Sequence, residues 1–368
     1  MQEPLFIGSD IYRHSTYGSK HPLAIPRVST VIDLCRSLGW LTSQNYRTSP
    51  RAKPEALRQF HTPEYIAALQ EAERTQWVSA DVQQRHGLGT ISNPVFPEMF
   101  RRPATAAGGS MLGAELIRDG GIVFNPAGGT HHGLPDRANG FCYLNDPVLA
   151  IKVLLSFGLQ RIVYIDIDAH HCDGVEFAFN GSRCVRMISI HEARRWPFKG
   201  TLKDNAGGAA FNLSVQPNLN DSEFDAILLE LILPATQTFN PQAIVLQCGS
   251  DSVAEDPLSR LTLSNNSHWK TVAVLRELSP RLLVLGGGGY NPWSVARLWT
   301  GVWATLCEKA IPNELDPDTI SVLRDLTWHR AAGRNPPEHW LTTLRDDENR
   351  GPVRQELLDD LRYLRQLC

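Results

Sequence analysis

Asp166, Asp168 and His170 occupy alternate positions in the stretch RIVYIDIDAHHCDGVE (161–176), and His171 and Asp173 follow at once. Side chains two apart on an extended chain point to the same side. Such spacing lets two carboxylates and an imidazole converge at a strand end. A polar loop after a strand, with one His bonded to a carboxylate, is the plain alternative. Burying this many ionisable groups, however, is costly unless they hold a metal or move protons. Asp168 and His170, joined by Asp251 from the later Gly-Ser-Asp, would make a three-ligand O/N site of a kind zinc accepts, with a position left for water or substrate. Zinc can bring the pKa of a bound water to about 7. For Asp251 alone, a Gly-Ser-Asp turn is the readier explanation.

Three further constellations fit hydrolytic chemistry. The first is the tandem His131-His132 in a Gly-rich loop, GGTHHG (128–133). The spare carboxylates Asp166 and Asp173 can each orient one of these imidazoles through its second ring nitrogen, setting tautomer and basicity. A His so held can act as general base. The second is Gly286 to Gly289 followed by Tyr290. The glycines let backbone approach a ligand, and the Tyr hydroxyl can donate to a developing oxyanion. The run lacks the Lys-Ser/Thr of a P-loop and the spacing of a dinucleotide loop. The third is Gly140-Phe141, which can wall a narrow channel or place an aromatic in the core.

These groups need a scaffold that brings distant loops together. Ile162-Val-Tyr-Ile165 reads as a strand buried on both faces. Phe6-Ile7, Ile122–Phe124, Val185–Ile190, Ala243–Leu246 and Leu282–Leu285 read as further strands. Between them lie helical stretches: 22–38, from Thr62-Pro63, 105–117, from Asn145-Asp146-Pro147 to about Phe157, 222–239 with a late break at Pro234, 269–278, and from Pro292 to about Lys309. Asp173 to Glu176 resembles a capping box. Residues 71–100 read mainly as loops, with a helix possible before Gly87, and 193–210 as a long irregular loop. Pro352–Leu367 reads as the last helix. Strands alternating with helices predict a parallel, doubly wound α/β sheet, whose ligands sit beyond the strand C-termini.

Composition narrows the class. The 368 residues, 42% hydrophobic and 20% charged, suit a soluble globular chain with an ample core. A net charge of −3 makes no electrostatic case for nucleic acid. No apolar run reaches membrane-spanning length, and the N-terminus has no secretory pattern. Seven scattered Cys without CxxC pairs read as reduced thiols, so a cytoplasmic location is expected.

Taken together, GGTHHG (128–133), GFCYLND (140–146), DIDAHHCDGVE (166–176), SIHE (189–192), GSD (249–251) and GGGGYNP (286–292) resemble the histone deacetylase family, in particular its bacterial acetoin-utilisation and class I-like types. The resemblance runs from about Phe6 to Leu306, including HPLAIPR (21–27) and FHTPEYI (60–66). It implies an arginase/deacetylase α/β fold with a central eight-stranded parallel sheet flanked by helices. A catalytic domain over residues 1–310 would be followed by peripheral helices over 311–368 packed on the same domain. The implied reaction is zinc-dependent hydrolysis of an acyl-amide, typically on a lysine side chain, by metal-activated water. Carried over by motif, Asp168, His170 and Asp251 match the zinc ligands. His132 matches the general base and His131 its electrostatic partner. Asp166 and Asp173 match the supporting carboxylates, and Tyr290 the residue that polarises the carbonyl. Gly140, Phe141, Gly288 and Leu258 are assigned to the substrate channel, and Arg27 to an internal acetate-release cavity. Structural K+ would fall near Asp166, Asp168, His170, Ser189 and Ile190. His171 is left out of the site.

Departures from the family pattern bear on substrate. Ser92 stands where many members have an Asp that clamps the substrate backbone, which weakens the case for histones. Cys172 replaces a common Gly, and Lys199-Gly200 replaces Pro-Gly. Leu258 stands where polyamine-selective members carry Glu. The expected substrate is therefore acylated lysine in a protein or peptide, or a small acylated amine such as an acetylpolyamine, with no nucleic-acid or membrane partner. A ureohydrolase on the same fold and a non-catalytic binding member are the other readings. One metal per chain would exclude the first, and turnover would exclude the second.

Overall fold

The β-branched and aromatic runs pair into one sheet of eight strands: β1 (Leu5–Gly8), β2 (Tyr46–Thr48), β3 (Gly121–Asn125), β4 (Ile162–Asp166), β5 (Val185–Glu192), β6 (Ala210–Val215), β7 (Ala243–Gln247) and β8 (Arg281–Leu285). The computed structural model describes residues 3–367. The strand order is β2-β1-β3-β8-β7-β4-β5-β6, and every pair is parallel. Alternation divides the core. On β4, Val163 and Ile165 join Phe124, Leu246 and Val284 on one face, while Ile162 and Tyr164 join Val123, Val245 and Leu283 on the other. Both faces are covered by helices, as parallel sheets require.

The helices keep most of their expected places, and the exceptions have local causes. The helix expected over 22–38 is a 3₁₀ turn, Pro22–Ala24, then an extended link, then an α-helix only from Val28 to Ser37. Pro26 holds Ile25 extended (φ −81°, ψ 146°), as the residue before a proline prefers. In residues 71–100 the helix before Gly87 is present as Ala80–His86 with a Ser79 cap, and Pro63–Thr75 runs on into the start of the segment. Around Pro234 the helix widens into a π turn, Leu228–Ile232, rather than breaking. Pro234 has no N–H to give the preceding turn, and a widened turn absorbs that loss.

Two strands escaped the sequence reading. β2 has three residues and carries almost no pattern. β6 falls just after the long loop, where Phe211, Leu213 and Val215 alternate into the core. That period of two was the available signal. Beyond Leu306, Leu323, Trp340, Leu344, Leu357 and Leu361 enter the same core as Trp293, Trp299 and Trp303. Among the described residues, no helix is long and apolar enough to cross a membrane, and the cysteines Cys35, Cys142, Cys172, Cys184, Cys248 and Cys307 are free.

Candidate active site

Four neighbouring strands, β3, β8, β7 and β4, release their C-terminal loops at one point. β4 ends at Asp166, and the chain then bends rather than staying extended. The alternating-strand picture therefore stops at Asp166, and a different device places the later residues. The Asp166 carboxylate accepts the Asp168 N–H at 3.0 Å, and the Asp168 carboxylate accepts the His170 N–H at 3.0 Å. Each carboxylate captures the amide two residues on, an Asx-type turn repeated twice. The curl separates Asp166 from the pair that follows it.

Asp168, His170 and Asp251 meet with one ligand atom each, all within 4.8 Å of one another. His170 Nδ1 lies 2.9 Å from Asp251 Oδ2 and 3.3 Å from Asp168 Oδ1. Asp251 is held by the Ala169 N–H at 2.9 Å, and Asp168 by the Gly288 N–H at 2.6 Å. Glycine is needed around them. A Cβ on Gly288 would lie 2.1 Å from an Asp251 carboxylate oxygen, and one on Gly249 would lie 2.1 Å from an Asp168 oxygen. The donor set suits a divalent cation, and so does its electrostatics. Burial and the charge of Asp168 raise the Asp251 pKa. Burial and Asp251 push the neighbouring Asp256 up to about 8. Burial opposes charge on His170, yet its bonds to Asp168 and Asp251 outweigh this and raise it to about 10. The two carboxylates outweigh burial at this imidazole, so the cluster as a whole favours positive charge.

His131 and His132 sit beside it, with ring centroids 3.9 Å apart. His131 Nδ1 donates to Asp166 at 2.7 Å, and His132 Nδ1 to Asp173 at 2.7 Å. The two imidazoles are driven apart in basicity. Burial opposes charge on His131, but Asp166 and Asp168 prevail and raise it to about 9. Burial and the charge on His131 lower His132 to about 4, against the pull of Asp173. The expected capping box at Asp173 is absent. Cys172 stands at the N-cap without a side-chain bond, because the Asp173 carboxylate serves His132 and Asn139. Glu176 turns instead to His171 (3.1 Å) and Asn212 (2.6 Å), which keeps His171 away from the ligand cluster.

Tyr290 is buried, and its N–H donates to Asp256 at 2.6 Å. Burial, with Asp251 and Asp168 nearby, raises its pKa, so the hydroxyl stays protonated. Tyr290 lines both an outer cleft of about 800 Å³ and a small inner cavity. Phe141 (φ +68°) and Gly140 sit between the two, with Phe141 5.8 Å from the Tyr290 ring. Leu258 lines the outer cleft and Gly288 the inner cavity. Arg27 lies at the inner end, donating to the Gly287 carbonyl at 2.8 Å with its guanidinium over Trp299. Ser189 and Ile190 lie on β5, with Ser189 in register with Asp166.

Four contributors were missed in the sequence. Trp196, from the long loop, packs edge-on against His132 at 4.6 Å and fills the space over Gly140. Asp256 positions the Tyr290 backbone. Asn139 supports Asp173. Tyr164 donates its hydroxyl to Asp166 at 2.5 Å. Only Tyr164 had a signal, since it precedes Asp166 by two on the same strand.

A family model described as the histone deacetylase domain matches residues 21–306. Among curated relatives, "Probable histone deacetylase 1-A" of Xenopus laevis is 36% identical over 307 residues, covering 81% of this chain and 64% of that one. "Histone deacetylase 1" of Homo sapiens is 35% identical over 307 residues, covering 81% and 63%. The chain thus spans just under two thirds of the length of these relatives. The crystal structure of an HDAC homolog from Aquifex aeolicus superposes with a TM-score of 0.94 at 35% identity, covering 99% of this chain and all of that one. An HDAC homolog complexed with SAHA matches equally well, with TM-score 0.94, 35% identity and coverages of 99% and 100%.

Proposed function

Given that this chain belongs to the histone deacetylase family, we propose that it hydrolyses the acyl-amide of an acylated lysine side chain, with Asp168, His170 and Asp251 holding one zinc. The observation that carries this is the convergence of those three ligands within 4.8 Å, beside an imidazole held 2.7 Å from the Asp173 carboxylate. Zinc, when bound, supplies the Lewis acidity that activates water and polarises the acyl carbonyl.

The chain's own residues do the rest. His132 is neutral at working pH, oriented by Asp173, and takes the proton from the attacking water; it later returns a proton to the leaving amine. His131, held charged by Asp166, stabilises negative charge that develops beside it. Tyr290 keeps its proton and donates it in a hydrogen bond to the carbonyl oxygen as that becomes an oxyanion. Phe141 and Trp196 enclose the acyl-lysine stem with apolar surface and exclude water. Gly140 and Gly288 leave room for the stem, and Leu258 forms part of the outer wall. Arg27 offers a buried cation to the carboxylate product in the inner cavity. A structural K+ near Asp166, Asp168, His170, Ser189 and Ile190 is part of the reading; its support is the side-by-side register of Asp166 and Ser189.

An acetylpolyamine substrate is disfavoured, because no Asp or Glu lines the outer cleft to receive a second ammonium. A screen of the zinc-loaded protein against acyl-lysine peptides of varied acyl length and against acetylated putrescine tests the assignment. Turnover of the peptides in preference to putrescine is expected; the reverse preference would replace lysine with polyamine as the substrate class.

A further inference from the structure

The mouth of the outer cleft is strongly cationic although the chain as a whole carries a net charge of −3. Arg137, Arg194, Arg195 and Arg260 all line it, and no carboxylate does. One acid stands behind them. Glu192 is buried and accepts from both Arg195 (Nη2 at 3.0 Å) and Arg260 (Nε at 3.0 Å). It fixes these two guanidiniums at the rim and neutralises only one of them. Arg137 and Arg194 are exposed and have no ion pair among the described residues. Thr90, Ser92, Asn93 and Asn139, which also line the cleft, carry no charge.

A surface with four guanidiniums around the entrance, two of them clamped in position by one buried acid, is built to meet negative charge. We infer that the mouth selects acyl-lysine accompanied by a carboxylate, and that it turns away substrates with cationic neighbours. The carboxylate can come from acidic residues flanking the acyl-lysine in a peptide, or from the α-carboxylate of free Nε-acyl-lysine. This rests on the deacylase reading and specifies its substrate. Like-charge repulsion against Lys-rich flanks is as much a part of the selection as attraction to acidic ones. Rim charges act mainly through encounter and modest affinity, and salt screens both.

Matched acetyl-lysine peptides flanked by Glu, Ala or Lys test this on the zinc-loaded enzyme. Free Nε-acetyl-lysine and its carboxamide form a second pair that separates the two carboxylate sources. The expected order of kcat/KM is Glu, then Ala, then Lys, with about fivefold between steps, as one or two exposed charges provide. High salt should compress the series. The double variant Arg137→Glu/Arg194→Glu should invert it; should that protein fail to fold, Arg194→Gln alone should narrow the Glu-to-Lys ratio. Equal or better turnover of the Lys-flanked peptide, or a ratio that neither salt nor charge reversal moves, would overturn the inference. If none of the peptides is hydrolysed, the deacylase reading fails. The selection is then decided by calorimetric binding of the same unreacted peptides, where tighter binding of the Glu-flanked one supports it and equal binding refutes it.

Discussion

Two of the regions that bury charge in this molecule do so in opposite ways. Where the helix Pro292–Leu306 meets the C-terminal segment, Arg297 is fully buried, pairs with Asp346 at 2.6 Å and donates to the Thr343 carbonyl at 2.7 Å. Nearby, the buried Glu223 takes Arg354 at 2.7 Å. Asp346 and Glu223 each face a permanent cation, so the segment is pinned, although one Arg297 amino group is left without a hydrogen-bond partner. At the ends of β4 and β7, by contrast, Asp166, Asp168, Asp251 and Asp256 are all buried, and among the described residues no Lys or Arg is bonded to any of them. Imidazoles, backbone amides and the Tyr164 hydroxyl are their partners. A buried charge that faces its permanent opposite belongs to the architecture; a buried acidic cluster that still needs a cation is equipped to bind one.

The largest break in that comparison should come from Asp251→Ala. It removes one of three ligands, and zinc retention and turnover should both fall to background while circular dichroism stays native. Full zinc occupancy by metal analysis would remove Asp251 from the ligand set. Tyr290→Phe should lower kcat by about 10², the usual loss for one oxyanion donor, with zinc content unchanged. Near-normal kcat would take Tyr290 out of the mechanism. Arg297→Ala tests the other region. It leaves Asp346 without its partner and should cost about 3 kcal/mol of stability in denaturant unfolding, while kcat measured well below the unfolding transition changes less than about twofold. A loss of kcat without a loss of stability would erase the distinction between the regions. The mildest effect is that of pH. His132 must be neutral to accept a proton, so kcat/KM should fall as pH drops through about 4. His131 must be charged to assist, so kcat/KM should fall again as pH rises through about 9. A pH–rate profile with a plateau between these limbs is expected; an acid limb near 7 would mean that His132 is not the base.

The same contrast explains what the sequence could show. The β3, β4, β7 and β8 cores are continuous apolar runs, readable because both faces of a parallel sheet are buried. The chemical residues stood out because Asp168, His170, His131 and His132 are dense and close in sequence. Their arrangement was less legible. The curl after Asp166 depends on carboxylates that capture amides two residues ahead, a choice that competes with strand alternation and is settled only by packing. The Asp173 cap was misread for a related reason: a carboxylate that can cap a helix was claimed by an imidazole 41 residues away in sequence. Trp196 and Glu192 lie in or beside a loop whose conformation follows no short-range period, so nothing local announced their place at the cleft. Arg297 and Asp346 are likewise a long-range pair.

Metal content set against turnover on one preparation is the most direct test. Chelation should remove a single zinc per chain and abolish hydrolysis of an acetyl-lysine peptide, and restoring zinc to one equivalent should bring both back together. Hydrolysis that persists in metal-free protein, or that returns only when two metals are bound per chain, would contradict a one-zinc deacylase.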